Sequence, residues 1–206
     1  MEKFICQTSF IDFCIFKDVG RVLDDCSSIM NEKYLGYLTK VRGNKNENES
    51  NPDYGAGAHY LGDEGELYFA DQQITGALSA VWNLSYFLPY VNPSDAILDF
   101  GCGGGDLLAR LPGRLKTGVE INPVAQEYAK KLGLQMFSSL DETPKTPYDV
   151  IISSHALEHV PEPLTLLMRL KDFLSSNGSL VLLLPMDDWR APAHRTFKRE
   201  YSQPFV

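Results

Sequence analysis

The four cysteines, Cys6, Cys14, Cys26 and Cys102, form no CxxC pair and no Cys/His group with zinc spacing. That argues against a structural zinc site and a thioredoxin-type redox motif. Three of them fall in the first 26 residues and one in a glycine-rich turn. This is no disulfide framework, so reduced thiols and a cytoplasmic protein are expected. No apolar run reaches the roughly 18 residues that a membrane span needs. The apolar N-terminus, MEKFICQTSFIDFCIF, is interrupted by Gln7, Thr8, Ser9 and Asp12 and leads to no small-residue cleavage site, so no secretory signal is expected. Basic residues are in the minority, 19 Lys and Arg against 27 Asp and Glu for a net charge of −8, and nucleic acid is not an expected partner. The chain also lacks the apolar poverty of a disordered protein: 44% of its 206 residues are hydrophobic and 22% charged. One folded domain with a short appendage is the expectation.

Residues 1–40 show short apolar runs without a clear period, and 42–58, RGNKNENESNPDYGAGA, have the polar, glycine-containing make-up of a linker. The organisation read from this is an appendage over 1–50, a linker over 51–62 and the main domain over 63–206. From Asp63 a helical period runs through Leu67, Ile74, Leu78, Val81 and Leu88, with Asp63 placed to cap it and Pro89 to end it. This spacing predicts a core-covering helix. A second reading makes it a lid that presents Tyr60, Tyr68, Phe69 and Gln72 to a ligand. A break is expected near Gly76 or Asn83.

After this helix, short apolar strands alternate with helices. Strands are predicted at 96–100, 116–120, 134–137, 149–153 and 180–184, and helices at 106–111, from Pro123 to before Gly133, and at 163–174. Asn122 before Pro123, and Gly133 after the helix, are matched start and stop signals. Ala125, Tyr128, Ala129 and Leu132 fall on one stripe of that helix. Uninterrupted apolar strands separated by helices call for an α/β fold, a doubly wound parallel sheet covered on both faces. Ligands of such sheets bind beyond the carboxyl ends of the strands.

One of those ends carries Asp99-Phe-Gly101-Cys-Gly103-Gly-Gly105-Asp106. Glycines let the backbone turn sharply there and let a ligand approach closely. A dinucleotide fingerprint counted from Gly101 needs glycine at 106, where the chain has Asp, and a carboxylate repels a pyrophosphate. No Gly-Lys-Ser/Thr follows, which counts against a nucleotide triphosphate loop. A loop rimmed by acids suits a ligand with cationic groups.

These residues resemble the first motif of class I S-adenosylmethionine-dependent methyltransferases. Gly118-Val-Glu120-Ile-Asn-Pro123 is similar to that family's second-strand motif, Tyr148 to Val160 to its fourth strand and the turn after it, and Asn177 to Pro185 to its fifth. The resemblance spans about residues 60–190 and implies a Rossmann-like sheet of which five strands are present and the usual last two missing. The implied cofactor is S-adenosylmethionine, and the implied reaction is methyl transfer to a small molecule, sugar or lipid. By the same resemblance, Glu120, 21 positions after Asp99, accepts hydrogen bonds from the ribose hydroxyls, and Asp99 orients the loop and attracts the cofactor's amino group. Gly101, Cys102 and Gly103 line the cofactor, with Ile121 beside the ribose-binding acid. Ser139 and Leu140 meet the adenine, with Ser138 a rival. Ser154 and His155 lie at the methyl end, where His155 is the candidate general base.

Glu158 and His159 resemble part of a Glu-x-x-Glu-His pattern that quinone-pathway O-methyltransferases link to a divalent metal. His155 stands where the first Glu would be, and no metal is expected. His194, Arg195, Lys198 and Arg199 form a small basic cluster read as a solvated tail. Beyond position 184 only 22 residues remain, so a truncated domain is expected, with its fifth strand an exposed apolar edge. That motivates an alternative, a non-catalytic remnant that binds cofactor or a partner. An NAD-dependent oxidoreductase is the third reading, disfavoured by Asp106.

Overall fold

The computed structural model describes residues 11–17 and 60–185. The basic cluster at 194–199 and most of the 1–50 and 51–62 segments lie outside the described residues. The described chain forms one six-stranded sheet with β1 (Ile11–Lys17), β2 (Ala96–Phe100), β3 (Leu115–Val119), β4 (Gln135–Phe137), β5 (Tyr148–Ser154) and β6 (Leu174–Pro185), in the order β1-β6-β5-β2-β3-β4. Strands β2 to β6 run parallel, the doubly wound arrangement expected from the alternation and the Rossmann-like one that the resemblance implies. The chain steps outward from β2 to β3 and β4, then returns to β5 and β6 on the other side. The point where the order reverses lies between β2 and β5.

The helices are α1 (Gly62–Phe87), α2 (Asp106–Arg110), α3 (Pro123–Lys131) and α4 (Pro163–Lys171). Neighbouring strand residues feed opposite cores. Leu98, Ile151, Leu180 and Leu182 pack under α4 with Leu166, Leu167 and Leu170. Ile97, Val150, Ile152, Val181 and Leu183 pack under α1, α2 and α3 with Phe87, Leu108 and Ala129. This two-sided burial is why the strands read as unbroken apolar runs.

Three expectations change. The edge of β6 is not open: β1 pairs with it antiparallel, from Ile11 opposite Pro185 to Lys17 opposite Ser179. The segment read as an appendage thus supplies a strand that satisfies the backbone groups of that edge. The last strand starts at Leu174, earlier than the predicted 180. Leu174 sits opposite Tyr148 and Ser179 opposite Val150, so residues 175–178 bulge from a longer β6. Finally, α1 runs unbroken through Gly76 and Asn83, and its apolar period faces away from the core. Its buried residues are Gly65, Phe69, Ala80, Asn83 and Phe87, whereas Leu67, Ile74, Leu78, Val81 and Leu88 are exposed. The helix docks through Phe69 and Phe87 together with small residues and hydrogen bonds, and leaves its Leu/Ile/Val stripe outside. Gly65 lies so close to the Tyr60 carbonyl that a Cβ would overlap it, and its own carbonyl accepts from Asn122 Nδ2 at 2.8 Å.

Candidate functional site

The carboxyl ends of β2, β3 and β5 converge on the glycine turn. Gly101 and Cys102 both donate backbone N–H to the Val119 carbonyl, at 2.8 and 3.3 Å, which folds the turn back over the end of β3. Gly101, Gly103 and Gly105 have φ of 72°, 54° and 77°, the left-handed region that glycine enters without steric cost. A Cβ at Gly105 would overlap the Leu134 side chain and one at Gly101 would overlap Ala156, while Gly103 faces open space. Gly101 and Gly105 therefore hold the turn against the body, and Gly103 leaves room beside its backbone for a ligand.

Asp99 is buried at the end of β2, and its Oδ1 has no hydrogen-bond partner. Burial, and then the negative charge of Glu120, push its carboxyl up to about 8. Glu120, one residue past β3, accepts from Gly103 N at 2.9 Å through Oε2 and from Asn122 N at 2.8 Å through Oε1. Burial raises its pKa, opposed by the backbone donors of Asn122, Gly103 and Ile121. The two hydrogen bonds from Gly103 and Asn122 use about half of a carboxylate's acceptor capacity, leaving lone pairs for hydroxyl donors. The Cys102 thiol lies where a Cβ on Gly118 would meet it. Burial, with the charges of Asp99 and Glu120, pushes it well above the ordinary thiol range, which suits packing and not nucleophilic attack.

Around this pair the remaining candidates are placed as follows. Ile121 is exposed beside Glu120. The Ser139 carbonyl accepts from Thr143 Oγ1 at 2.8 Å, and Leu140 is packed into the core under α4. The rival Ser138 donates its hydroxyl to Glu142 at 2.7 Å. Ser154 closes β5, where Asn83 of α1 lies 3.4 Å from its hydroxyl. His155 follows with φ 53°, the one non-glycine residue with positive φ among the described residues. Its N–H donates to the Leu183 carbonyl at 2.9 Å. Burial, then His159, lower its pKa, so its imidazole is neutral at neutral pH. Nδ1 stands 3.8 Å from Glu158 Oε1. Glu158 itself is pushed up to about 7 by burial, and its Oε2 has no partner.

The start of α1 covers this region. Tyr60 and Tyr68 meet edge to face with ring centroids 5.0 Å apart. Burial raises both hydroxyls; Glu120 adds to both and Glu158 to Tyr60. Phe69 packs against Tyr128 with ring centroids 5.7 Å apart, and both would contact a Cβ on Gly104. Asn122 earns its place twice. It caps α3 by accepting from Val124 N and Ala125 N at 2.9 and 3.2 Å, as Asn before Pro123 suggests, and it ties α1 down through Gly65. That second role, like that of Asn83, carries no signal in the sequence, because each partner lies on a distant element. Gln72 is exposed. Among the described residues, no three His, Cys, Asp or Glu side chains group closely enough to hold a metal, and no helix is long and apolar enough to cross a membrane.

Comparison with known proteins places these features in a context. A family model described as a methyltransferase domain matches residues 73–203. The mitochondrial ubiquinone biosynthesis O-methyltransferase of Schizosaccharomyces pombe is 38% identical over 100 residues, covering 42% of this chain and 36% of that protein. The trans-aconitate 2-methyltransferase of Methylobacterium radiotolerans is 29% identical over 109 residues, covering 49% of this chain and 42% of that protein. The chain thus spans well under half the length of these two relatives. The crystal structure of a SAM-dependent methyltransferase from Thermotoga maritima superposes with a TM-score of 0.49 at 17% identity, covering 66% of this chain and 65% of that one.

Proposed function

The chain belongs to the methyltransferase-domain family, and on that premise we propose that it binds S-adenosylmethionine at the turn after β2 and directs methyl transfer to a small-molecule acceptor. The observation that carries this reading is the buried carboxylate pair. Asp99 keeps an oxygen without a partner and its carboxyl is held up near 8 beside Glu120. A buried acid in that state is stabilised by a ligand that brings positive charge and hydrogen-bond donors, and S-adenosylmethionine brings both. A pyrophosphate would bring more negative charge.

When bound, S-adenosylmethionine supplies an electrophilic methyl group on a sulfonium, and its leaving thioether is neutral. The protein's task is then mainly positioning. Glu120 takes the ribose hydroxyls on the lone pairs that Gly103 and Asn122 leave unused. Asp99 holds the amino group, directly or through water, and Gly101, Cys102 and Gly103 flank the ligand with backbone. Ile121, Ser139 and the backbone at Leu140 belong to the adenine end, Ser154 and His155 to the methyl end. With the His155 proton on Nδ1, toward Glu158, Nε2 is left to accept a proton from an acceptor hydroxyl. Tyr68 of α1 and Tyr60 just before it close the site, in line with the second of the two readings that the sequence left open for that helix. The small-molecule acceptor follows the names of the relatives; the net charge of −8 does not favour a polyanion.

Thermal denaturation with added ligand tests the reading. S-adenosylmethionine or S-adenosylhomocysteine at about 100 times Kd should stabilise the chain by roughly 2.7 kcal/mol, with no shift from NAD. A shift from NAD and none from either sulfur nucleoside would overturn it.

A further inference from the structure

Helix α1 is apolar on two opposite sides. One is buried on the domain through Phe69, Ala80 and Phe87. The other carries Leu67, Ile74, Leu78, Val81 and Trp82, exposed by 69, 73, 58, 55 and 78%. At 100° per residue these five lie within one stripe, about 180° from the buried one. Five large apolar side chains left to solvent on one helix are a contiguous patch, not scattered surface residues. We propose that this stripe is a self-association surface, on which α1 of a second copy of this chain packs antiparallel.

Spacing supports a helical occupant. Positions 67, 71, 74, 78, 81 and 85 follow one another in alternating steps of four and three, the seam of a two-helix coiled coil, occupied here by Leu, Asp, Ile, Leu, Val and Ser. Charge supports a second copy and fixes its direction. The acids of α1, Asp63, Glu64, Glu66 and Asp71, all lie in its first ten residues, its last sixteen (72–87) carry no charge, and the helix has no Lys or Arg. Parallel pairing would set Asp71 against its own copy. Antiparallel pairing lays each acidic half along the partner's uncharged half, separates the two Asp71 residues by about 15 Å of helix, and places Ile74 opposite Leu78 and Asp71 opposite Val81. The patch offers roughly 600 Å² per copy, or about 1,200 Å² in a pair, the lower end of the range for specific interfaces. A membrane surface is a poorer occupant, because helices that lie in bilayers carry Lys and Arg on their polar faces.

Two substitutions at one exposed position test both the partner and the direction, read by sedimentation velocity on the full chain with far-UV circular dichroism as the control for folding. The wild type should sediment as a dimer in the tens of micromolar. Val81→Glu should weaken dimerisation at least about tenfold, because a carboxylate is then set against Asp71 of the partner copy. Val81→Lys should keep the dimer, because the introduced ammonium meets that same carboxylate. A wild-type chain that stays monomeric to 100 µM (roughly the concentration where a weak dimer would show) would overturn the proposal. So would a dimer that Val81→Glu leaves intact, or one that both substitutions dissociate alike.

Discussion

Asp99 and Glu120 make opposite demands on the molecule. Both are buried acids at strand ends, but Glu120 is satisfied by two backbone donors and Asp99 keeps an unpaired oxygen. Two charge-assisted hydrogen bonds from a ribose, at roughly 1.5 kcal/mol each, amount to about a hundredfold in affinity. Glu120→Ala should therefore weaken S-adenosylmethionine binding by about that factor in a calorimetric titration, with the circular dichroism spectrum unchanged. Asp99 also sets a pH dependence. Its carboxyl titrates near 8 in the folded chain and near the ordinary value of about 4 when unfolded, so over that interval the folded state holds a proton that the unfolded chain has lost. The stability this proton contributes is complete below about pH 4 and is lost as pH rises through 8. Glu158, raised to about 7, acts in the same direction over a narrower window. Asp99→Asn should leave the Tm at pH 5 within a few degrees of wild type and raise it by on the order of ten degrees at pH 9, while weakening cofactor binding. Equal Tm values at both pH values would refute the assigned protonation. His155 is the general base proposed above, and loss of such a group costs about 10² to 10⁴ in rate. His155→Gln should lower kcat on that scale and leave cofactor Kd unchanged, and the acid limb of the wild-type rate profile should fall below about pH 6.5, because burial lowers the imidazole pKa.

Between strands and helices, the glycine turn is the most constrained piece of chain. Gly105 has φ of 77° and its Cβ position is taken by Leu134. Gly105→Ala combines a left-handed backbone, about 1–2 kcal/mol for a residue with a Cβ, with overpacking at about 1–3 kcal/mol. A loss of roughly 2–5 kcal/mol in urea denaturation is expected. This element was legible because its signals are local: strand, glycines and helix start follow within a dozen residues, and Asn122-Pro123 marks the next helix in the same way. The buried face of α1 was not legible. Its sequence holds two apolar stripes, and hydropathy favours the one with Leu67, Ile74, Leu78 and Val81. The domain takes the other, because Gly65 permits the close approach that lets its carbonyl reach Asn122. Small residues score low in any apolar period and still set how closely the helix approaches, beside the anchors Phe69 and Phe87. The placement of Leu140 shows a related limit. It follows β4 where the family pattern puts the adenine end, and its side chain is nevertheless committed to the core; counting positions after a strand locates a stretch of chain but not the direction of each side chain.

Across the whole molecule, the sheet draws on both ends of the described chain. β1 closes the edge of β6 antiparallel over seven residue pairs, and nothing near residues 11–17 signals a partner at 179–185, because the pairing is non-local and β1 has no clear period. An apolar strand left unpaired is a template for aggregation. Deleting residues 1–17 should lower the Tm and cause concentration-dependent light scattering; unchanged solubility and Tm would show that β6 does not depend on β1. The same sheet brings the ends of β2, β3 and β5 together on one side, under the start of α1, which is where the proposed ligand is held. Isothermal titration of the full chain with S-adenosylmethionine, run beside Glu120→Ala and beside NAD, addresses that arrangement most directly. One cofactor per chain for the wild type, a loss of about a hundredfold in the variant and no heat from NAD are the predicted results. No binding of S-adenosylmethionine to a folded wild-type chain, or binding indifferent to Glu120, would contradict it.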